Sequence, residues 1–306
     1  MKKIISFIRL YFYDTPKTVL LLTSLFTAVL IFCNYYFEID KWINNQQQTG
    51  MRFIYRYIIS LEAFLVPFLF YRIRLENNYF SKPLIIALIF FAPAVFALKM
   101  SLPFHVPVSP DSSWNHYWNQ VIYWPIRLFI IIIILYFIWR RFYNDESFFG
   151  LTAKNFDWRP YAIMLLIMVP LIAFASTQPD FLHTYPKYKM VAGDIGSNTN
   201  AWLYKLIFEL SYGSDFVSIE LFFRGFLILG FAKWAGKDSI LPMACFYCTI
   251  HFGKPLGECI SSYFGGILLG IVVYHTRTIL GGLMVHLGIA WLMELGGYLG
   301  EMYFRK

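Results

Sequence analysis

Apolar residues run along this chain in long blocks, and short polar stretches separate them. Nine blocks are read, at 18–37, 53–71, 83–101, 120–139, 160–176, 200–231, 238–252, 259–275 and 279–299. A helix that crosses the hydrocarbon of a bilayer needs about 20 apolar residues, range 17–25. Most blocks fit one crossing each. The block 200–231 is longer, so it is expected to tilt, or to leave its first turns (Trp202 to Glu209) outside the hydrocarbon. The block 238–252 is short and is expected to be re-entrant or buried among its neighbours. The fold class is therefore all-α, a polytopic membrane bundle of about eight or nine helices.

The blocks divide the chain into three parts. Residues 1–16 read as an interfacial amphipathic helix with Lys2, Lys3 and Arg9 toward headgroups. Asp14-Thr15-Pro16 then reads as a cap with Pro at the first helical position. Residues 17–199 read as scaffold helices, and residues 200–306 as the core that carries the chemistry. The loop 102–119 holds Trp114, Tyr117 and Trp118 and no Lys or Arg, as an outer aromatic belt would. The stretch 177–199 is the longest polar outer loop. Within the scaffold, Arg56 lies near enough to a span end to snorkel, whereas Glu62 and Arg127 are candidates to pair across helices or to meet a neighbouring backbone.

Composition agrees with a bilayer. Charged residues make up 14% of the 306 and hydrophobic ones 58%; soluble domains carry about 25% charged residues. The net charge of +8 is assigned to cytoplasmic flanks and anionic lipid rather than to nucleic acid, for which no motif is seen. With the N-terminus inside, inner flanks hold about twice as many Lys and Arg as outer ones, Arg72, Arg74, Arg140 and Arg141 among them. An integral protein of the bacterial inner (plasma) membrane with a cytoplasmic N-terminus is expected. Cys245 and Cys248 form a CxxC, but the second pair that a zinc ribbon needs is absent, so Cys33, Cys245, Cys248 and Cys259 are read as packing residues.

Three places in the last third break the apolar pattern. They are Ile219-Glu220-Leu221-Phe222-Phe223-Arg224-Gly225, Tyr247-Cys248-Thr249-Ile250-His251 and His286-Leu287-Gly288-Ile289-Ala290. Ionisable groups in hydrocarbon are costly and mark function. At 1.5 Å per residue from the inner ends, Glu220 lies about 17 Å deep, His286 about 10 Å and His251 about 20 Å. The plainer account of Glu220 and Arg224, four residues apart, is an intrahelical ion pair. Two histidines at comparable depth favour a polar pocket. No serine or cysteine nucleophile motif and no His-Glu-x-x-His is present. A carboxylate and two imidazoles can deprotonate water and polarise an amide carbonyl. They can also hold zinc with one open position, on His251, His286 and Glu220.

The order and spacing of these motifs resemble the intramembrane CaaX-protease and bacteriocin-processing family, over about residues 200–299. Its signature is Glu-Glu-x-x-x-Arg, Phe-x-x-x-His and His-x-x-x-Asn on three helices. Gly225, Gly265-Gly266, Gly270 and Thr276-Arg277-Thr278 extend the resemblance. The family's pattern implies that His251 is the second-motif histidine, His286 the third-motif one and Arg224 the first-motif arginine. Ile219 stands where the family has its first Glu, Ala290 where it has Asn, and Tyr247 where it has Phe.

Three readings follow. The first is an endopeptidase acting on a membrane-associated peptide or protein. In it Glu220, Glu258 or Glu294 supplies the carboxylate; Glu220 or Glu258 would activate water with His251, and His286 would polarise the carbonyl. Glu258 lies seven residues after His251, and Glu294 eight after His286, roughly on its face. The plainer accounts are a cap or headgroup-level charge for Glu258 and a buried polar contact for Glu294. The second reading is an inactive family member that binds a membrane peptide or partner. The third is a proton or ion path, which lacks the matched interrupted helices of transporters.

Overall fold

The computed structural model describes residues 1–75, 79–154, 156–196 and 200–304. No strand occurs among the described residues. The helices are α1 (Lys2–Asp14), α2 (Lys17–Tyr36), α3 (Ile39–Asn44), α4 (Thr49–Leu75), α5 (Pro83–Ser101), α6 (Ser112–Phe142) and α7 (Arg159–Ala175). Then come α8 (Pro179–Thr184), α9 (Lys189–Ile195), α10 (Ala201–Ile219), α11 (Ala232–Ala235), α12 (Ile240–Thr249), α13 (Leu256–Thr276) and α14 (Leu280–Phe304). A π-helix, Glu220–Gly230, continues α10. Each apolar block read from the sequence is helical. Among the described residues, α2, α4, α5, α6, α13 and α14 are long and apolar enough to cross a bilayer, and α7 is a shorter apolar helix. The protein is an integral membrane protein built as a helical bundle.

Two local expectations change. Asp111 caps α6, its carboxylate accepting from the Trp114 amide at 3.0 Å. Trp114, Tyr117 and Trp118 therefore sit on the first turns of α6 and not in a loop. Tyr117 is buried, and its hydroxyl donates to the Tyr204 carbonyl at 2.7 Å, so it is a core residue and not part of a belt. Pro16 is the N-cap of α2 rather than its first residue. Thr15 closes α1 by donating to the Tyr11 carbonyl at 2.7 Å.

The chain forms two compact units. One comprises Met1–Pro103, Asp145–Thr152 and Leu221–Ile279. Here α4 packs on α5, α12 and α2. Phe64, Phe96, Phe223, Phe231 and Phe246 are buried, with Phe96 and Phe223 rings 4.9 Å apart and Phe223 and Phe246 rings 5.1 Å apart. Such edge-on pairs contribute about 0.5–1.5 kcal/mol each beyond area burial. The ten-residue α12 is only about 15 Å long, but every residue from Ile240 to Cys248 is buried. It need not span hydrocarbon because protein surrounds it. At Gly266 of α13 a methyl group would lie 3.3 Å from Ala244 and from Tyr247, so the missing side chain sets how closely α13 approaches α12. Beside the π-helix, a methyl at Gly225 would lie 2.7 Å from the Phe149 carbonyl oxygen. The α1 helix is held by Phe7 stacking on His275 at 4.4 Å and by Lys237 on Asp14 at 3.1 Å.

The other unit comprises Phe104–Asn144, Ala153–Glu220 and Leu280–Lys306. In it α10 packs on α6, and α14 on α7. The glycines of α14 are contact points. A methyl at Gly288 would meet Leu165 at 2.6 Å, and one at Gly300 would meet the Ser176 carbonyl oxygen at 2.4 Å. Arg127 on α6 lies over the Tyr123 ring at 3.6 Å. Glu62, on α4 of the first unit, is exposed.

Candidate active site

Helix α10 ends where the π-helix begins, and Glu220 is the junction residue. π-turns widen a helix and are rare, and they are found frequently at functional sites. Glu220 is 0% exposed. Its Oε1 lies 2.9 Å from Nδ1 of His286, on α14 in the same unit. Phe216, one turn before Glu220, sets its ring edge-on to the His286 imidazole at 4.7 Å. With a carboxylate accepting at Nδ1, the imidazole carries its Nδ1 proton toward Glu220.

In the other unit, Arg224 follows on the π-helix and is 1% exposed. Its guanidinium lies 3.9 Å from the centroid of the Tyr247 ring. A desolvated cation over an aromatic face gains about 2 kcal/mol. Tyr247 also orients His251. The Nδ1 of His251 lies 3.1 Å from the Tyr247 carbonyl oxygen, and the two rings meet edge-on at 4.7 Å. A carbonyl oxygen only accepts, so Nδ1 is the donor. Tyr247 stands where the resembled family has Phe. Its double contact, to Arg224 by its ring and to His251 by its carbonyl, follows from the four-residue spacing to His251 and from the packing of α12 beside the π-helix.

The remaining carboxylates have structural partners. Glu258 lies 3.5 Å from Lys254 in the turn before α13. Glu294 is 6% exposed and accepts the Lys187 amide at 2.8 and 2.9 Å, with the Tyr188 amide at 3.5 Å. The turn after α8 is thereby held on α14. The structure thus brings Glu220 to His286, while Glu294 meets backbone amides. Ala290, in the family's Asn position, packs in the aromatic cluster of Tyr117, Trp124, Phe208 and Phe216. Among the described residues no three His, Cys, Asp or Glu side chains are placed to hold a metal ion.

The buried Glu220–His286 pair of one unit and the oriented His251 of the other are carboxylate and imidazole groups set in apolar sequence. Residues 200–292 match the family described as Type II CAAX prenyl endopeptidase Rce1-like, a branch of the CaaX-protease and bacteriocin-processing proteins. That segment includes Glu220, Arg224, His251, Glu258 and His286 and stops short of Glu294. No curated protein and no solved structure matches the chain.

Proposed function

We propose that the protein is an intramembrane endopeptidase that hydrolyses a membrane-associated peptide or protein with activated water. The bond between Glu220 and His286 at 2.9 Å, with the carboxylate wholly buried, carries the proposal. Glu220 orients His286 through the Nδ1 bond, and the imidazole stabilises the scissile carbonyl oxygen as negative charge develops there. One such donor is worth about 10²–10³ in rate. The resemblance to the family's second motif supports giving His251 the proton of the attacking water, which it returns to the leaving amine. Water adds to the carbonyl, the C–N bond breaks, and no acyl-enzyme forms. Glu220 thus acts through His286, a different division of labour from one in which Glu220 or Glu258 deprotonates water directly. Arg224 on Tyr247 is a positioning residue.

The test is His251→Ala in proteoliposomes, with membrane-anchored peptides that include prenylated C-terminal tails and leader peptides. Cleavage is expected to fall at least about 10²-fold with peptide binding retained. Absence of cleavage in the unaltered protein, with binding intact, would instead establish the catalytically silent binder. The isoleucine at 219 and the packed alanine at 290 favour that second reading.

The inner (plasma) membrane with the N-terminus in the cytoplasm is the placement we infer from the Lys and Arg bias, and lipids are its standing partners. An N-terminal tag should resist protease added outside intact spheroplasts. Digestion of the tag there would reverse the orientation.

A further inference from the structure

Two cysteines form a pair that the site chemistry does not use. Cys248 is the penultimate residue of α12 and Cys259 the fourth of α13. Their Sγ atoms lie 3.8 Å apart, and Sγ of Cys248 is 3.4 Å from the Cys259 carbonyl oxygen. Both are reduced and buried. Between them runs the turn that carries His251. That turn is also held from α2, where the Tyr35 hydroxyl donates to the Lys254 carbonyl at 2.6 Å. A disulfide needs an S–S separation of about 2.05 Å. Closing the gap takes less than about 2 Å of sulfur movement, on the scale of side-chain rotation. Both residues stand at the turn ends of their helices, where local opening exposes them most readily. Cys245 is engaged differently, accepting from Thr27 Oγ1 at 3.3 Å.

We propose that Cys248 and Cys259 are a dithiol that closes reversibly into a disulfide across the His251 turn, by exchange with a small disulfide. One thiolate attacks the small disulfide, forms a mixed disulfide and releases one small thiol. The second thiolate then attacks the protein sulfur of that mixed disulfide and releases the other small thiol. The protein loses two hydrogens and two electrons, and the small disulfide gains both. The bond would clamp the end of α12 to the start of α13 and restrict the turn that presents His251. The proposal does not depend on the peptidase reading.

The experiment incubates membranes holding the full chain with oxidised glutathione, quenches in acid, denatures, and labels free thiols with a maleimide. The four cysteines take four labels before oxidation. Afterwards two labels and an intact mass lower by two hydrogens are expected, with dithiothreitol restoring all four. Cys248→Ser and Cys259→Ser, each alone, should never show the loss of two hydrogens. Amide exchange across 249–258 should slow on oxidation of the unaltered protein. Four labels after oxidation, glutathione adducts without hydrogen loss, unchanged amide exchange, or hydrogen loss that persists in either serine variant would overturn the proposal.

Discussion

Glu220→Gln is expected to lower peptide cleavage by about 10²–10⁴-fold while leaving the helical bundle folded. Glutamine keeps the shape of the side chain and an oxygen that accepts from His286 Nδ1, so packing around residue 220 changes little. What it removes is the negative charge beside the His286 ring. Because Glu220 is wholly buried, water cannot replace that charge. His286→Ala should cost a similar factor. The double variant should be no worse than the poorer single one, since a carboxylate and the imidazole it serves act as a unit. The measurement is initial cleavage rate against protein-normalised peptide binding. A Glu220→Gln enzyme within a few-fold of the unaltered rate would remove Glu220 from the mechanism, as would strictly additive losses in the double variant.

Gly297→Ala is expected to destabilise the unit that contains α14 by about 1–3 kcal/mol or more. A methyl group there would lie 2.6 Å from the Pro186 nitrogen and 2.6 Å from the Tyr185 carbonyl carbon. These are backbone atoms that cannot rotate away, so the turn must lift off α14. The same turn is held by Glu294, which accepts the Lys187 and Tyr188 amides. Glu294→Ala should therefore cost about 1–3 kcal/mol by leaving those amides without their acceptor. The two variants should be non-additive, because both release one turn. Gly265→Ala is the control. Nothing lies within 4 Å of a methyl at that site, and the helix gains by losing a glycine. Thermal unfolding in detergent reads all four proteins. Equal midpoints for Gly297→Ala and Gly265→Ala would mean that the close approach at Gly297 does not hold the turn.

These two sites differ in how far sequence could reach them. Helix positions were legible because hydrocarbon crossing demands long unbroken apolar runs, a property of one dimension. The block 83–101 became Pro83–Ser101 without change. The block at 120–139 fell short because hydropathy starts at the apolar residues, whereas the Asp111 cap starts the helix at Ser112. The short block 238–252 was recognised as unusual, and its burial on all sides explains why it needs no spanning length. Glu220, Arg224, His251 and His286 stood out because charge inside apolar sequence requires a reason.

Helical periodicity placed Glu294 near the face of His286, yet a turn more than a hundred residues earlier in the chain takes its carboxylate. Periodicity describes one helix and says nothing of what docks on it. Tyr247 looked like a tolerated variant of Phe, because neither its carbonyl's bond to His251 nor its ring's contact with Arg224 has a signature in residue type.

From its sequence alone this chain is determined to be a polytopic helical membrane protein with ionisable residues set into the apolar sequence of its last third. Apolar length and misplaced charge are readable residue by residue. Only the tertiary structure decided that Glu220 serves His286, that Glu294 holds a turn, and that Cys248 faces Cys259. Each of those pairings depends on which helix faces or turns come together, and residues far apart or on separate elements acquire a distance only when the bundle packs.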